Sequence, residues 1–234
     1  MNTAQISARS CVALVATILF VVTLLSSNNL SFGQTVKSLD TIADSKKLPL
    51  GTAVTIEGTV TLASGTFRSS FSDYGFQVQD KTSGTYVSIK TDLRLAVGQK
   101  VRLAGKIAKT PLGFQMIETD ERSVQVLAGT GHTKPIDIAT GKVDDAIRGR
   151  LIKITGRVTK PVDPDAPYGF RVTIDDGTGL LIAYVSTSSR VTQEDFVVGR
   201  EIQMVGIAGK FRQQPQIYPR SPDDIKQVPK PRGN

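Results

Sequence analysis

The chain is poor in the residues that carry out chemistry. Its 234 residues include one cysteine, one histidine and no tryptophan. The cysteine, Cys11, sits in an apolar run near the N-terminus. A chain that loses that run has no thiol for a disulfide, a thiolate–metal site, a nucleophile or a lipid anchor. The histidine, His132, lies in a Gly/Thr/Pro stretch and reads as a solvated loop residue. H-E-x-x-H, Walker and G-x-S-x-G patterns are all missing. Without a convergent set of titratable groups, the expectation is no catalytic residue, no cofactor and no metal. The pair Asp175-Asp176 lacks the alternating oxygen ligands and distal Glu of a calcium loop and reads as a β-turn. Asp144-Asp145 and Asp223-Asp224 read as charges in the first turn of a helix. The missing tryptophan also removes the strongest aromatic platform for a sugar or a base.

Long apolar runs are equally scarce. The single one, Cys11 to Leu25, follows the lone charge Arg9 and precedes a polar stretch ending in Ser31 and Gly33. It reads as a signal peptide over residues 1–33, cleaved between Gly33 and Gln34. An uncleaved anchor is the other reading, although this run is shorter than the roughly 20 residues a spanning helix needs. Nothing after Leu25 resembles a membrane span, so the mature protein is expected to be exported, periplasmic or secreted. Basic residues exceed acidic ones by 8, and losing Arg9 lowers the excess to 7. A mild, evenly spread excess favours anionic partners or serves solubility.

What the chain does have is a repeat. Tyr74-Gly75-Phe76 returns as Tyr168-Gly169-Phe170, and Val54 to Val60 matches Ile152 to Val158. Val97-Gly98 with Val101 to Gly105 matches Val198-Gly199 with Ile202 to Gly206. In each copy β-branched and aromatic residues alternate with polar ones between turn residues, which predicts strands. In the first copy they are expected at residues 53–62, 75–80, 85–90, 100–108 and 114–118. In the second they are expected at 150–159, 169–175, 179–185, 201–211 and 216–219. Thr192 to Phe196 offers a short capped turn between the third and fourth strands, as in the OB plan. Gly58, Gly156, Gly105 and Gly206 fall where a long strand would coil to serve both halves of a small barrel. An open sandwich is the alternative.

The expected architecture is all-β: two consecutive five-stranded OB-fold-like Greek-key barrels after an N-terminal signal peptide. The expected boundaries are a lead-in at 34–50, a first barrel at 51–128, a linker and second lead-in at 129–149, a second barrel at 150–228 and a frayed tail at 229–234. Short helical or extended stretches are expected at Asp40 to Lys46 and Lys142 to Ala146, and a capped turn at Ser221 to Ile225.

The run Gly149 to Thr159, then Tyr168-Gly169-Phe170 and Asp175 to Gly179, resembles OB-fold modules that occur singly or in tandem in secreted bacterial proteins. Some of those accompany extracellular nucleases, and they are similar to the tRNA-anticodon-binding branch of OB-folds. The resemblance covers roughly residues 40–228. It implies a binding module, and because no nuclease domain is present it implies no catalysis.

Strand parity places Phe76, Val78, Val87 and Ile89 inside, with Gln77, Gln79, Tyr86, Ser88 and Lys90 outside. In the second copy Ile152, Ile154, Phe170 and Val172 face in, leaving Lys153, Arg157 and Arg171 outside as one cationic patch. OB barrels bind across the second and third strands and through the loops after the first and fourth. Those loops hold Phe67, Arg68, Phe71 and Tyr74, then Lys160 and Tyr168, then Lys210, Phe211 and Arg212. Aromatics beside cations suit a single-strand groove. Phe67 and Phe71 plugging the barrel ends, with the cations as ordinary exterior residues, is the competing reading, and acidic Asp163 and Asp165 would repel a phosphate backbone. The partners this pattern admits are a single-stranded nucleic acid, an anionic polysaccharide, or an envelope protein or glycan.

Overall fold

The structure is a computed structural model that describes residues 39–67, 72–110 and 114–229. The signal-peptide reading, the start of the first lead-in, Arg68, Phe71 and the last five residues lie outside the described residues. In chain order the elements are helix α1 (Ile42–Ser45), then strands β1 (Ala53–Leu62), β2 (Phe76–Gln79), β3 (Gly84–Ser88), β4 (Gln99–Lys109), β5 (Gln115–Glu118) and β6 (Val124–Thr130). There follow β7 (Ile136–Asp137), β8 (Leu151–Val158), β9 (Asp163–Asp165), β10 (Gly169–Asp175), β11 (Leu180–Ser186), β12 (Glu201–Phe211), β13 (Gln214–Tyr218) and β14 (Ile225–Gln227). Among the described residues no helix is long and apolar enough to cross a membrane.

Two circuits close on themselves. In the first, β1 pairs antiparallel with β2 and β4, β2 with β3, and β4 with β5, while β3 runs parallel to β5. The second repeats this with β8, β10, β11, β12 and β13, including the parallel β11–β13 pair. Each circuit is the five-stranded Greek-key OB barrel that the repeat predicts.

Closure depends on long strands that change partners. β1 pairs with β4 through Thr59 and with β2 from Thr59 onward, and Gly58 stands at that hand-over. β4 passes from β1 to β5 at Lys106, beside Gly105. A Cβ at Gly58 would strike Val78 and the Gln79 carbonyl, and one at Gly105 would strike Ile117 and the Glu118 carbonyl. Gly156 and Gly206 occupy the matching positions in β8 and β12, under the same crowding. The glycines are therefore the points where neighbouring backbone comes too close for a side chain.

The barrel interiors follow the alternation. Phe76, Val78, Val87 and Ile89 join the first core with Val54, Ile56 and Leu103, and Ile152, Ile154, Phe170 and Val172 join the second with Ile174 and Met204. At roughly 1.5–3 kcal/mol for each large apolar side chain removed from water, these two cores are the main favourable contribution to folding.

Three features depart from the sequence reading. A sixth strand follows each barrel: β6 pairs antiparallel with β4, and β14 with β12. β6 continues to Thr130, into the stretch read as linker. The second lead-in turns at residues 140–142 rather than 142–146, because the Asp176 carboxylate accepts the Thr140 N–H at 3.0 Å. Asp80 does the same for the Ile42 N–H at 2.9 Å. Asp176 is thus a turn residue that also caps a lead-in, and its side chain accepts from Thr178 N at 3.0 Å. Asp145 is no first-turn helix charge either: it accepts Lys210 Nζ at 2.7 Å and Arg148 Nη1 at 3.3 Å.

The third departure is that the barrels are docked on each other. Gln77 and Gln79 point out of barrel one, yet both are buried. The Gln77 amide donates to the Gly149 carbonyl at 2.7 Å, and Gln79 Oε1 accepts the Leu151 N–H at 2.8 Å. Arg220 donates to the Thr61 carbonyl at 2.9 Å while pairing with Asp224. Leu62, Phe67, Leu151 and Ile207 form a small apolar seam between the barrels. Backbone meets backbone at Gly84 and Gly149, where a Cβ on either would collide with the other's carbonyl oxygen; Gly149 also holds a φ of +87°.

Candidate functional site

Beside this seam the structure leaves a cleft of about 500 Å³. Equivalent parts of both barrels line it. Barrel one supplies Gln77, Thr85 and Tyr86 from β2 and β3, and Thr110, Phe114 and Gln115 from the ends of β4 and β5. Barrel two supplies Arg171 and Tyr184 from β10 and β11, and residues 207–211 with Gln216 and Tyr218 from β12 and β13. The lead-ins add Lys46, Arg148 and Gly149, the loop after β1 adds Phe67, and the turn between β9 and β10 adds Tyr168.

The correspondence is residue by residue. Gln77 stands opposite Tyr86 on the paired strands of barrel one, as Arg171 stands opposite Tyr184 in barrel two. Each tyrosine hydroxyl donates to an aspartate: Tyr86 to Asp73 at 2.6 Å, Tyr184 to Asp165 at 3.1 Å. Burial, with Asp73 beside it, pushes the Tyr86 phenol well above its ordinary range. Burial does the same for Tyr218, with Tyr184 adding to it. The Tyr86 and Tyr218 phenols therefore stay neutral at every physiological pH. Tyr218 also meets Phe67 edge-on, ring centroids 5.6 Å apart.

The cations of the cleft differ in how far they are compensated. Arg171 pairs with Asp163 at 3.1 Å and Asp165 at 2.9 Å, both on β9, which lies along β10. Lys210 and Arg148 share Asp145. Arg148 also lies over the Phe114 ring, 5.5 Å from its centroid. Lys46 donates to Ser83 Oγ at 2.8 Å and to the Arg148 carbonyl at 2.7 Å, both neutral acceptors. Burial, reinforced by Arg148, brings its ammonium down to about 8.

Of the residues singled out in the sequence, Phe67, Tyr86, Tyr168, Arg171, Lys210 and Phe211 line the cleft. Tyr74, Lys90, Lys153, Arg157, Lys160 and Arg212 do not. Phe67 sits in the seam rather than in an open loop groove. Arg212 stacks over Phe211 at the hairpin tip, 5.4 Å from the ring centroid. The expected patch of Lys153, Arg157 and Arg171 does not form. Lys153 pairs with Asp137 at 2.7 Å, and Arg157 stands opposite Asp175, four residues along β10 from Arg171 or about 13 Å.

Parity cannot see these partners, because it assigns a face of a strand and not what lies over it. Tyr184 and Tyr218 were missed, although Tyr184 could have been found by aligning it with Tyr86 across the repeat. Lys46, Arg148 and Phe114 carry no signal of their own.

No family model and no curated protein matches the chain. Among solved structures it is similar to a murine DNA-binding protein bound with double-stranded DNA, at 15% identity and a TM-score of 0.39, covering 77% of this chain and 99% of that one. It is similar to the hypothetical protein ygiW of E. coli at 19% identity and a TM-score of 0.30, over 38% of this chain and 90% of that one. The replication protein A heterotrimer bound to single-stranded DNA is 12% identical, with a TM-score of 0.28; 34% of this chain and 58% of that one are covered. The assignment of the OB-fold rests on the strand pairing of the chain itself.

Proposed function

We propose that the chain is an exported, non-catalytic tandem OB-fold protein that binds a segment of single-stranded nucleic acid, or a similar anionic polymer, in the cleft between its barrels. The observation that carries this reading is the convergence of aromatic rings and cations from both copies on one cleft. Phe114, Tyr168 and Phe211 offer stacking faces, and Lys46, Arg148 and Lys210 offer charge. Stacking is worth roughly 1–3 kcal/mol per base, and cations track the phosphates. Export is supported by the Arg9-led apolar run up to Leu25.

The test is fluorescence anisotropy with a labelled single-stranded oligonucleotide across a salt series. Binding should weaken steadily with salt, since each phosphate contact releases counterions. Tyr168→Ala with Phe211→Ala should weaken it by about tenfold or more, and Arg157→Ala should leave it unchanged. No binding at low salt, or binding indifferent to salt, would sink the proposal.

One observation favours a second reading. The β9 carboxylates already neutralise Arg171, which suits an envelope protein or glycan partner better than a phosphate chain. That reading predicts a crosslinked partner that survives nuclease treatment.

A further inference from the structure

One cation of the cleft, Lys46, is held only by neutral acceptors among the described residues. Lys46 follows α1, Arg148 lies near the end of the second lead-in, and Arg150 immediately precedes β8. The charged groups acting on Lys46 are Arg148, Arg150 and Asp80, two cations against one carboxylate. That carboxylate is engaged elsewhere, accepting from Ile42, Thr82 and Ser83 backbone N–H groups. Arg148 shares Asp145 with Lys210. Arg150 Nε is buried with no acceptor among the described residues.

Lys46 spends two of its three donors on neutral oxygens and, among the described residues, makes no ion pair. Burial first, and then the charges of Arg148 and Arg150, disfavour the ammonium, and a bound anion would offset that cost.

We propose that Lys46 and Arg148 form an anion subsite in the cleft that takes a phosphate oxygen, with the Phe114 ring holding the guanidinium in place. This rests on the cleft being the binding site and specifies where in it a phosphate is anchored. The ammonium donates its third N–H to the anion and Arg148 adds a second donor. Because an anion binds the protonated lysine, affinity is full below about pH 8 and falls as pH rises through that value.

The experiment uses the full chain and two probes whose charge is constant from about pH 7 to about pH 9.5, inorganic sulfate and oligodeoxyadenylate. Sulfate binding is followed through the amide resonances of Gly84 and Gly149, and oligonucleotide binding by anisotropy. The half-saturating sulfate concentration should rise about tenfold or more across that interval. Lys46→Gln should weaken sulfate at the lower pH and abolish the pH dependence. Lys46→Arg, which keeps its charge throughout, should bind sulfate at both pH values. Arg148→Gln should weaken binding and move the midpoint upward, a shift that a merely structural role would not produce.

Thermal melts of each variant separate lost binding from lost folding. Wild-type binding equal at both pH values, or a folded Lys46→Gln that binds sulfate like wild type, overturns the subsite. If sulfate behaves as expected and oligodeoxyadenylate does not bind, the subsite stands and the single-strand reading fails. If the oligonucleotide binds in a salt-sensitive way and Lys46→Gln changes neither probe, the reverse holds.

Discussion

Barrel one and barrel two share a topology and differ in what their outer faces are used for. The β2–β3 face of barrel one carries Gln77 and Gln79 into the junction, where their amides are buried against Gly149 and Leu151. The β10–β11 face of barrel two carries Arg171 at the position equivalent to Gln77, half-exposed and held by β9. A neutral amide can be desolvated with two hydrogen bonds, whereas a guanidinium there would need a buried counter-charge. One residue type thus lets the same surface of one fold line the cleft in both copies and, in barrel one, serve as the docking face as well.

This comparison can be broken most severely at Arg220. Arg220→Ala removes the bond to the Thr61 carbonyl and leaves the Asp224 carboxylate buried without its partner. The expected loss is about 3–5 kcal/mol, read as a lower urea midpoint for both barrels. If the midpoint is unchanged, the docking does not contribute to stability.

A milder test exploits the equivalent positions. Gln77→Ala should cost about 1–2 kcal/mol through the unsatisfied junction. Arg171→Gln should cost less than about 1 kcal/mol, because its ion pairs are solvent-screened. Equal losses would mean that the two faces are not differently used.

An effect smaller than at Arg220 or Gln77 should come with acid. Backbone N–H groups, chiefly that of Ile42, outweigh burial and hold Asp80 below the usual carboxylate range, and hydroxyl and backbone donors from Thr178 and Thr140 do so for Asp176. A depressed folded-state value contributes stability above about pH 4 that is lost as pH falls through the folded value. Melting temperature should therefore decline on acidification, and Asp80→Asn should flatten that decline at a cost of about 1 kcal/mol at neutral pH.

Much of the fold was legible because alternation and turn residues report directly on strands. β1 and β12 run over the residues their alternation predicts, and the four mid-strand glycines mark the partner changes. β6 and β14 were not legible: each packs only its first residue, Val124 or Ile225, against a core, too little to impose an alternation. β6 is exposed along most of its length. The site was legible only in part, for a different reason. Phe67, Tyr86, Tyr168 and Phe211 were found as aromatic residues near the expected binding surface, but their convergence depends on the pose of one barrel against the other. That pose is written in Gln77, Gln79, Gly84 and Gly149, residue types that belong equally to ordinary surface and turn positions.

The Gly84–Gly149 contact sets a dimension. Where two main chains touch with no side chain between them, their spacing is set by van der Waals contact of backbone atoms rather than by rotamers that can swing aside. A single added methyl at either glycine would push the two backbones apart and shift both walls of the cleft together.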